Sequence, residues 1–112
     1  MALRKLEKSE WEAYFDNFSK DQSVKLGEVE VLAKSIGAQI EDEWMPIVGL
    51  AYDPKDDEFE VITEIFDHHI RHPREIWVDE DIDGLKTVEV VQEDGTKNVI
   101  ELRRPPALPK KD

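Results

Sequence analysis

Apolar and charged residues alternate along several segments of the chain, and this period-two pattern constrains the fold more than any other feature of the sequence. The segments 28–34 and 58–65 carry apolar side chains at nearly every second position, as a strand does when one face is buried and the other meets water. A looser alternation covers 38–44. Further strands are predicted from their strand-forming residues at 47–52, 75–78, 85–91 and 98–103.

Turn-forming residues separate these strands. Asp94-Gly95 lies between the last two and predicts a hairpin, because glycine supplies the positive φ that tight hairpin turns need. The segment 53–57 contains one proline and three aspartates and predicts another turn. His72-Pro73 is expected to end any helix, so residues 66–71 either extend the strand before them or form one helical turn.

One helix is predicted near the N-terminus, from Ser9 to Ser19. Ser9 and Glu12 have the spacing of a capping box. Four aromatic residues share one face of this helix, and we expect them to cover the sheet or the mouth of a barrel. They are Trp11, Tyr14, Phe15 and Phe18. Trp44 and Trp77 are expected in or beside the same core.

One helix followed by five or six short strands predicts an α+β fold with antiparallel pairing. We expect a small SH3-like or Sm-like barrel, because closure protects strand edges; an open, curled sheet with the helix on one face is the alternative. The 112 residues suit a single domain, placed at 1–104, with 105–112 as a Pro/Lys-rich tail. Pro106 and Pro109 have the P-x-x-P spacing of a polyproline ligand, although packing of the tail along its own domain is the simpler interpretation.

Composition and motifs argue against several classes of function. The chain has no cysteine, which excludes disulfides, thiol catalysis and cysteine-bound zinc. No apolar run approaches the roughly 18 residues of a membrane span, and the first residues lack the apolar stretch of a signal peptide, so we expect a soluble cytoplasmic protein that does not bind membranes. The glycines are dispersed and form no phosphate-binding loop, and no serine lies where a nucleophile is expected. We therefore favour a protein without enzymatic activity.

Acidic residues are concentrated in the middle of the chain. The formal net charge is −12, and residues 41–83 contain 15 acidic and three basic residues, whereas the rest of the chain is balanced. This excess repels nucleic-acid phosphates and favours a basic protein partner or self-association, although it can serve solubility alone. We expect a non-enzymatic interaction module whose surface is formed by six acidic residues. They are Asp56, Asp57, Glu60, Glu64, Asp79 and Asp81.

Binding of a divalent metal is the alternative function, and the histidines form the first potential site. All three lie within residues 68–72, and imidazole is a common metal ligand. His68 and His72 are expected to converge whether the segment is helical or extended, with Asp67 as a third ligand. The other interpretation is that both imidazoles contact backbone carbonyls around Pro73.

An acidic loop forms the second potential metal site. Asp79, Asp81 and Asp83, followed by Gly84, match the first half of a calcium-binding loop. The second half is absent, because Val90 stands where the bidentate glutamate is required. An ordinary acidic connection between strands is the other interpretation, and the sequence indicates no other cofactor.

Several short segments, spread over nearly the whole chain, are distinctive in combination. They are Arg4 to Glu7 followed by Trp11 and Phe15, Tyr52 to Asp57, Asp67-His68 with Ile70, Arg71 to Ile76, and Leu102-Arg103 with Leu108-Pro109. Together they resemble a family of small uncharacterised bacterial proteins, a domain of unknown function. The resemblance implies a bacterial, cytoplasmic, single-domain protein and transfers no catalytic or binding residue.

Overall fold

The fold is an antiparallel sheet with one α-helix, seen in a computed structural model that describes eight strands within residues 3–20, 25–33, 37–64, 67–82 and 84–103. The strands follow the order β1-β6-β7-β8-β2-β3-β4-β5 across the sheet. The elements in chain order are β1 Arg4–Lys5, a 3-10 turn Lys8–Glu10, α1 Trp11–Lys20, β2 Lys25–Ala33, β3 Gly37–Asp53, β4 Glu58–Thr63, β5 Asp67–Arg71, β6 Pro73–Asp81, β7 Gly84–Gln92 and β8 Lys97–Arg103.

The α+β class and the antiparallel pairing are confirmed, but the predicted barrel is wrong. β1 and β5 form the two ends of the sheet and do not pair with each other, so the described strands form an open sheet, as in the alternative prediction. Both end strands are short, and β5 has five residues. β1 has only two residues, and the side chain of Gln92 donates to the carbonyl of Arg71 at the end of β5, 2.9 Å away. Short or covered edge strands resist edge-to-edge pairing with other chains.

The strand number also differs from the five or six predicted. β1 is too short to show any periodicity in the sequence. Residues 38–44 and 47–52 belong to one 17-residue strand, β3. Its pairing with β4 shifts register between Ile47 and Gly49. Residues 67–71 form a strand and not a helical turn, and the predicted β7–β8 hairpin is confirmed.

The helix packs its aromatic face on the sheet, as predicted. Trp11 and Phe15 are fully buried, whereas Tyr14 and Phe18 are partly buried against the same core. Phe15 meets Phe59 of β4 edge to face, with ring centroids 4.8 Å apart. Burial of this apolar face stabilises the short helix, since a helix of ten residues is marginal alone. No helix in the described ranges is long and apolar enough to cross a membrane.

The predicted helix start is wrong by two residues. A 3-10 turn precedes α1, and the Glu10 carboxylate accepts the backbone N–H of Glu7 at 3.0 Å. The acidic residue of the cap is therefore Glu10, and its partner is the backbone of Glu7. Ser9 lies inside the turn and does not begin the helix as an N-cap with Glu12.

Ser19, near the end of the helix, supplies hydrogen-bond partners to an unpaired stretch of β3. β2 pairs with β3 only as far as Ile47 among the described residues, so the outward backbone groups of Leu50 lack a strand partner there. The Ser19 hydroxyl donates to the Leu50 carbonyl at 2.7 Å and accepts the Leu50 N–H at 3.0 Å. One side chain therefore satisfies both backbone groups and fixes α1 on the sheet.

Candidate interaction surface

The solvent face of β6, β7, β8 and β2 carries a row of acidic residues. Asp79 lies opposite Thr87, Thr87 opposite Glu101, and Glu101 opposite Glu28. Residues that are directly opposite in paired strands share a face. We call Asp79, Glu101 and Glu28 the carboxylate row.

The other face of the same strands is part of the core. Val78, Ile100 and Val29 lie one position from the members of that row, Val88 follows Thr87, and all four are at most 1% exposed. They are also paired in register with one another. The period-two alternation therefore separates an apolar row, which stabilises the fold, from an acidic row in solvent.

The carboxylate row has a described basic residue on the same face, since Arg103 follows Glu101 by two positions on β8. Its three members form no ion pair with a described lysine, arginine or histidine, and the nearby Lys86 lies 3.9 Å from Asp81 instead. Oδ1 of Asp79 is buried and has no hydrogen-bond partner among the described residues. Like charges directly opposite each other in a sheet are destabilising. Within the row only Glu101 and Glu28 are directly opposite each other, because Thr87 separates Asp79 from Glu101, so this one pair weakens the sheet.

A second feature of the same face is a groove around Trp77. Trp77 lies opposite Glu89 on one side and Lys5 on the other, and its indole N–H donates to the Glu75 carboxylate at 3.0 Å. The groove has a volume of about 340 Å³. It is lined by Leu3, Glu75, Trp77, Glu89, Val91 and Lys97, which we call the tryptophan groove.

The expectation that Trp77 lies in or beside the core needs correction. Its neighbours Ile76 and Val78 point inward and are at most 1% exposed, whereas Trp77 is half-buried on the opposite, solvent face. Alternation along the strand dictates this, because successive side chains point to opposite faces. The side chain of Trp44 lies outside the described residues.

The acidic residues that the sequence predicts as one surface lie in separate places. Asp56 and Asp57 are in the β3–β4 turn, and Glu60 lies on β4, opposite His69, which approaches it to 3.9 Å. Glu64 is exposed just beyond the other end of β4. Four strands separate β4 from β6, where the last two members lie. Asp79 belongs to the carboxylate row, and Asp81 faces Lys86.

Asp57 takes part in a local network and is not a free surface acid. The Tyr52 hydroxyl donates to its Oδ1 at 2.7 Å, and Nδ1 of His72 lies 3.3 Å from its Oδ2. The hydrogen bond from Tyr52 lowers the pKa of the Asp57 carboxyl. Burial, together with the acceptor Asp57, raises the pKa of Tyr52 to about 12. Asp57 is thus a structural residue of this corner.

The predicted metal ligands are not brought together in the described residues. β5 is extended, so His68 and His72 lie about 13 Å apart along the chain at 3.3 Å per residue, and His72 faces Asp57. Within the described ranges no group of three or more His, Asp or Glu side chains is placed to hold a metal ion. Asp83 of the acidic loop lies outside these ranges. Metal binding by Asp67 or by this loop stays a prediction.

The sequence reasoning missed Glu28, Glu101 and the groove around Trp77. Glu28 and Glu101 lie in parts of the chain where acidic and basic residues balance. The row appears only when β2, β8, β7 and β6 are set in register. Trp77 lies between Ile76 and Val78 in the sequence, and if these two point into the core, Trp77 must point outward.

Two comparisons with known proteins give matches that cover nearly the whole chain. A model of a family of unknown function, DUF5335, matches residues 2–111. An uncharacterized protein of Aquifex aeolicus (strain VF5) is 44% identical over 110 residues, which cover 97% of this chain and 97% of that protein. No solved structure matches. Since both matches span the described strands and the helix together, the chain belongs to the DUF5335 family of unknown function, as the resemblance in its sequence implied.

Proposed function

We propose that this protein is a small, acidic, non-enzymatic interaction module of the cytoplasm that binds a basic protein segment through the carboxylate row. One observation carries the proposal: β6, β8 and β2 present Asp79, Glu101 and Glu28 in one cross-strand row, and none of the three forms an ion pair with a described basic side chain. A partner that supplies lysine or arginine side chains would neutralise this row.

The energetics of the sheet support this function. The directly opposite Glu101 and Glu28 cost about a few tenths of a kcal/mol in their antiparallel pair, whereas opposite charges at these two positions would stabilise it. Solubility requires a net charge but does not require acids in register. A positive partner would convert the repulsion into attraction and would also accelerate association by electrostatic steering.

A basic partner fits this face better than a second copy of the chain. Each copy has a formal net charge of −12, and two carboxylate rows facing each other would repel. The other acidic residues predicted for the surface, Asp56 and Glu64, lie away from the row and would contribute only through long-range attraction. Self-association through the row is therefore disfavoured.

The test measures binding of a short peptide of alternating lysine and alanine by isothermal titration calorimetry. The row variant combines Asp79→Asn, Glu101→Gln and Glu28→Gln. The control variant removes the same number of charges elsewhere, with Glu12→Gln, Asp16→Asn and Asp56→Asn at exposed positions. We expect the row variant to bind about tenfold more weakly than the wild type, and the control to bind within about twofold of it.

Two results would contradict the proposal. If the wild-type protein does not bind the peptide at moderate ionic strength, the row is not an interaction surface for basic segments. If the control variant loses as much affinity as the row variant, only net charge attracts the peptide. Sedimentation velocity of the wild type at several concentrations tests the alternative, since self-association would raise the sedimentation coefficient with concentration.

A further inference from the structure

We propose that the tryptophan groove gives this module its specificity by holding an arginine side chain of the basic partner. The inference rests on the function proposed above, because the groove lies on the same sheet face as the carboxylate row. Trp77 and Asp79 are two positions apart on β6, which places them about 7 Å apart along one face of the strand.

The groove combines an aromatic ring with two carboxylates, of which that of Glu75 is held by a hydrogen bond, and Lys97 also lines it. The indole N–H of Trp77 holds Oε1 of Glu75 at 3.0 Å, and Glu89 lies directly opposite Trp77 on β7. Arg74 approaches the other Glu75 oxygen only to 3.9 Å, and Glu89 has no ion pair among the described residues. Negative charge at the edge of an aromatic ring favours a cation that lies over the ring face.

The chain itself places a cation near this ring. Nζ of Lys5 lies 6.0 Å from the centroid of the Trp77 ring, at the outer limit of a cation–π contact. Space therefore remains over the ring, as the groove volume of about 340 Å³ indicates. Lys5 belongs to the two-residue strand β1 and is exposed, so a partner cation can displace it at small cost.

Arginine suits the groove better than lysine does. A planar guanidinium stacks on an indole and can donate at the same time to carboxylates at the ring edge, whereas an ammonium is a compact, strongly hydrated point charge. The aliphatic part of the side chain would lie against Leu3, which is 43% exposed, and the half-buried Val91. Long cationic side chains commonly bury their stems on such apolar surface.

The spacing of the two features predicts the pattern of the partner. An extended segment presents every second side chain to the same side, with the same repeat of about 7 Å as β6. An arginine in the groove would therefore place a basic residue two positions away over Asp79. The expected partner segment is extended and contains arginine, any residue and then arginine or lysine.

The experiment compares two peptides that differ only in their basic residue, one alternating arginine with alanine and one alternating lysine with alanine. The wild type is expected to bind the arginine peptide about three- to tenfold more tightly. Trp77→Leu should abolish this preference and leave the affinity for the lysine peptide within about twofold, while Trp77→Phe should keep part of it. Glu101→Gln is the matched control and should weaken both peptides by the same factor. Thermal melting of each variant checks that the fold is intact.

The outcomes separate this inference from the function on which it rests. If the wild type binds both peptides equally, or if Trp77→Leu weakens both by the same factor, the arginine site is wrong and the interaction module stands. If neither peptide binds the wild type, the proposed function is itself wrong. If Trp77→Leu does not fold, the Trp77→Phe and Glu89→Gln variants test the arginine site in its place. An unchanged preference for the arginine peptide in both variants would show that the groove does not hold arginine.

Discussion

The hydroxyl of Tyr52 donates to Oδ1 of Asp57 across 2.7 Å, and this bond helps to hold a strained corner of the sheet. Asp57 ends the β3–β4 turn, and its carbonyl accepts the backbone N–H of His72, which alone joins β5 to β6. Both residues have positive φ, 52° at Asp57 and 53° at His72. This backbone conformation costs a non-glycine residue about 1 kcal/mol or more. Side-chain contacts must offset that cost.

Removal of the Tyr52 hydroxyl should therefore destabilise the protein. In Tyr52→Phe the ring still packs edge to face on Trp11, with centroids 5.0 Å apart, but Asp57 loses its shortest hydrogen bond. We expect the free energy of unfolding in urea at neutral pH to fall by about 1 kcal/mol, since Asp57 is partly exposed and solvent replaces part of the interaction. A double-mutant cycle with Asp57→Ala, which removes the acceptor, should show coupling of similar size. Additive effects of the two substitutions would refute the bond as a stabilising contact.

Neither tyrosine of the folded protein should ionise at its usual pH. Burial and the nearby Asp57 raise the pKa of Tyr52 from 10.0 to about 12, and burial also raises the pKa of Tyr14. In the unfolded chain Tyr52 ionises near pH 10, so its contribution to stability is complete below pH 10 and is lost between pH 10 and 12.

Ultraviolet absorbance of tyrosinate during an alkaline titration measures this effect. We expect little absorbance change near pH 10 and a cooperative rise at higher pH, together with unfolding followed by circular dichroism. In Tyr52→Phe the free energy of unfolding should fall less steeply as the pH rises from 10 to 12. A simple titration of both tyrosines near pH 10 in the folded protein would be inconsistent with their burial.

Ser19 should be important for stability although it is a small polar residue at the end of a helix. Ser19→Ala leaves the N–H and the carbonyl of Leu50 without their partner. Unsatisfied, partly buried backbone groups cost about 1–3 kcal/mol, and we expect the midpoint of urea unfolding to fall accordingly. Ser9→Ala, at an exposed site in the 3-10 turn, is the control and should change stability by less than about 0.5 kcal/mol. Equal effects of the two substitutions would contradict this role.

The sequence predicts local features well where a residue type dictates its backbone. Gly95, with φ of 91°, closes the predicted hairpin. The turn at 53–57 forms as predicted, with the Asp53 carboxylate accepting the N–H of Lys55 at 2.9 Å. The aromatic stripe of the helix identifies Trp11 and Phe15 as core residues. These features depend on interactions between residues close in sequence.

Predictions that depended on distant residues were less accurate. His68 and His72 were expected to converge even in an extended segment, but β5 ends at Arg71 and His72, with φ of 53°, faces Asp57 instead. The barrel prediction assumed that closure protects the edges, whereas the sheet is open and its end strands β1 and β5 have two and five residues. The length of β1 has no signal in local periodicity.

The sequence by itself determined the alternation of apolar and charged positions, the turns and the helix face, because each follows from the geometry of one short segment. Only the tertiary structure decided that Asp79, Glu101 and Glu28 form a row, and that Trp77 lines a groove together with Glu75 and Glu89. These residues come from strands far apart in the chain, and strand order and register are set by the packing of the whole sheet. The acidic charge was evident from composition, but its arrangement in space was not.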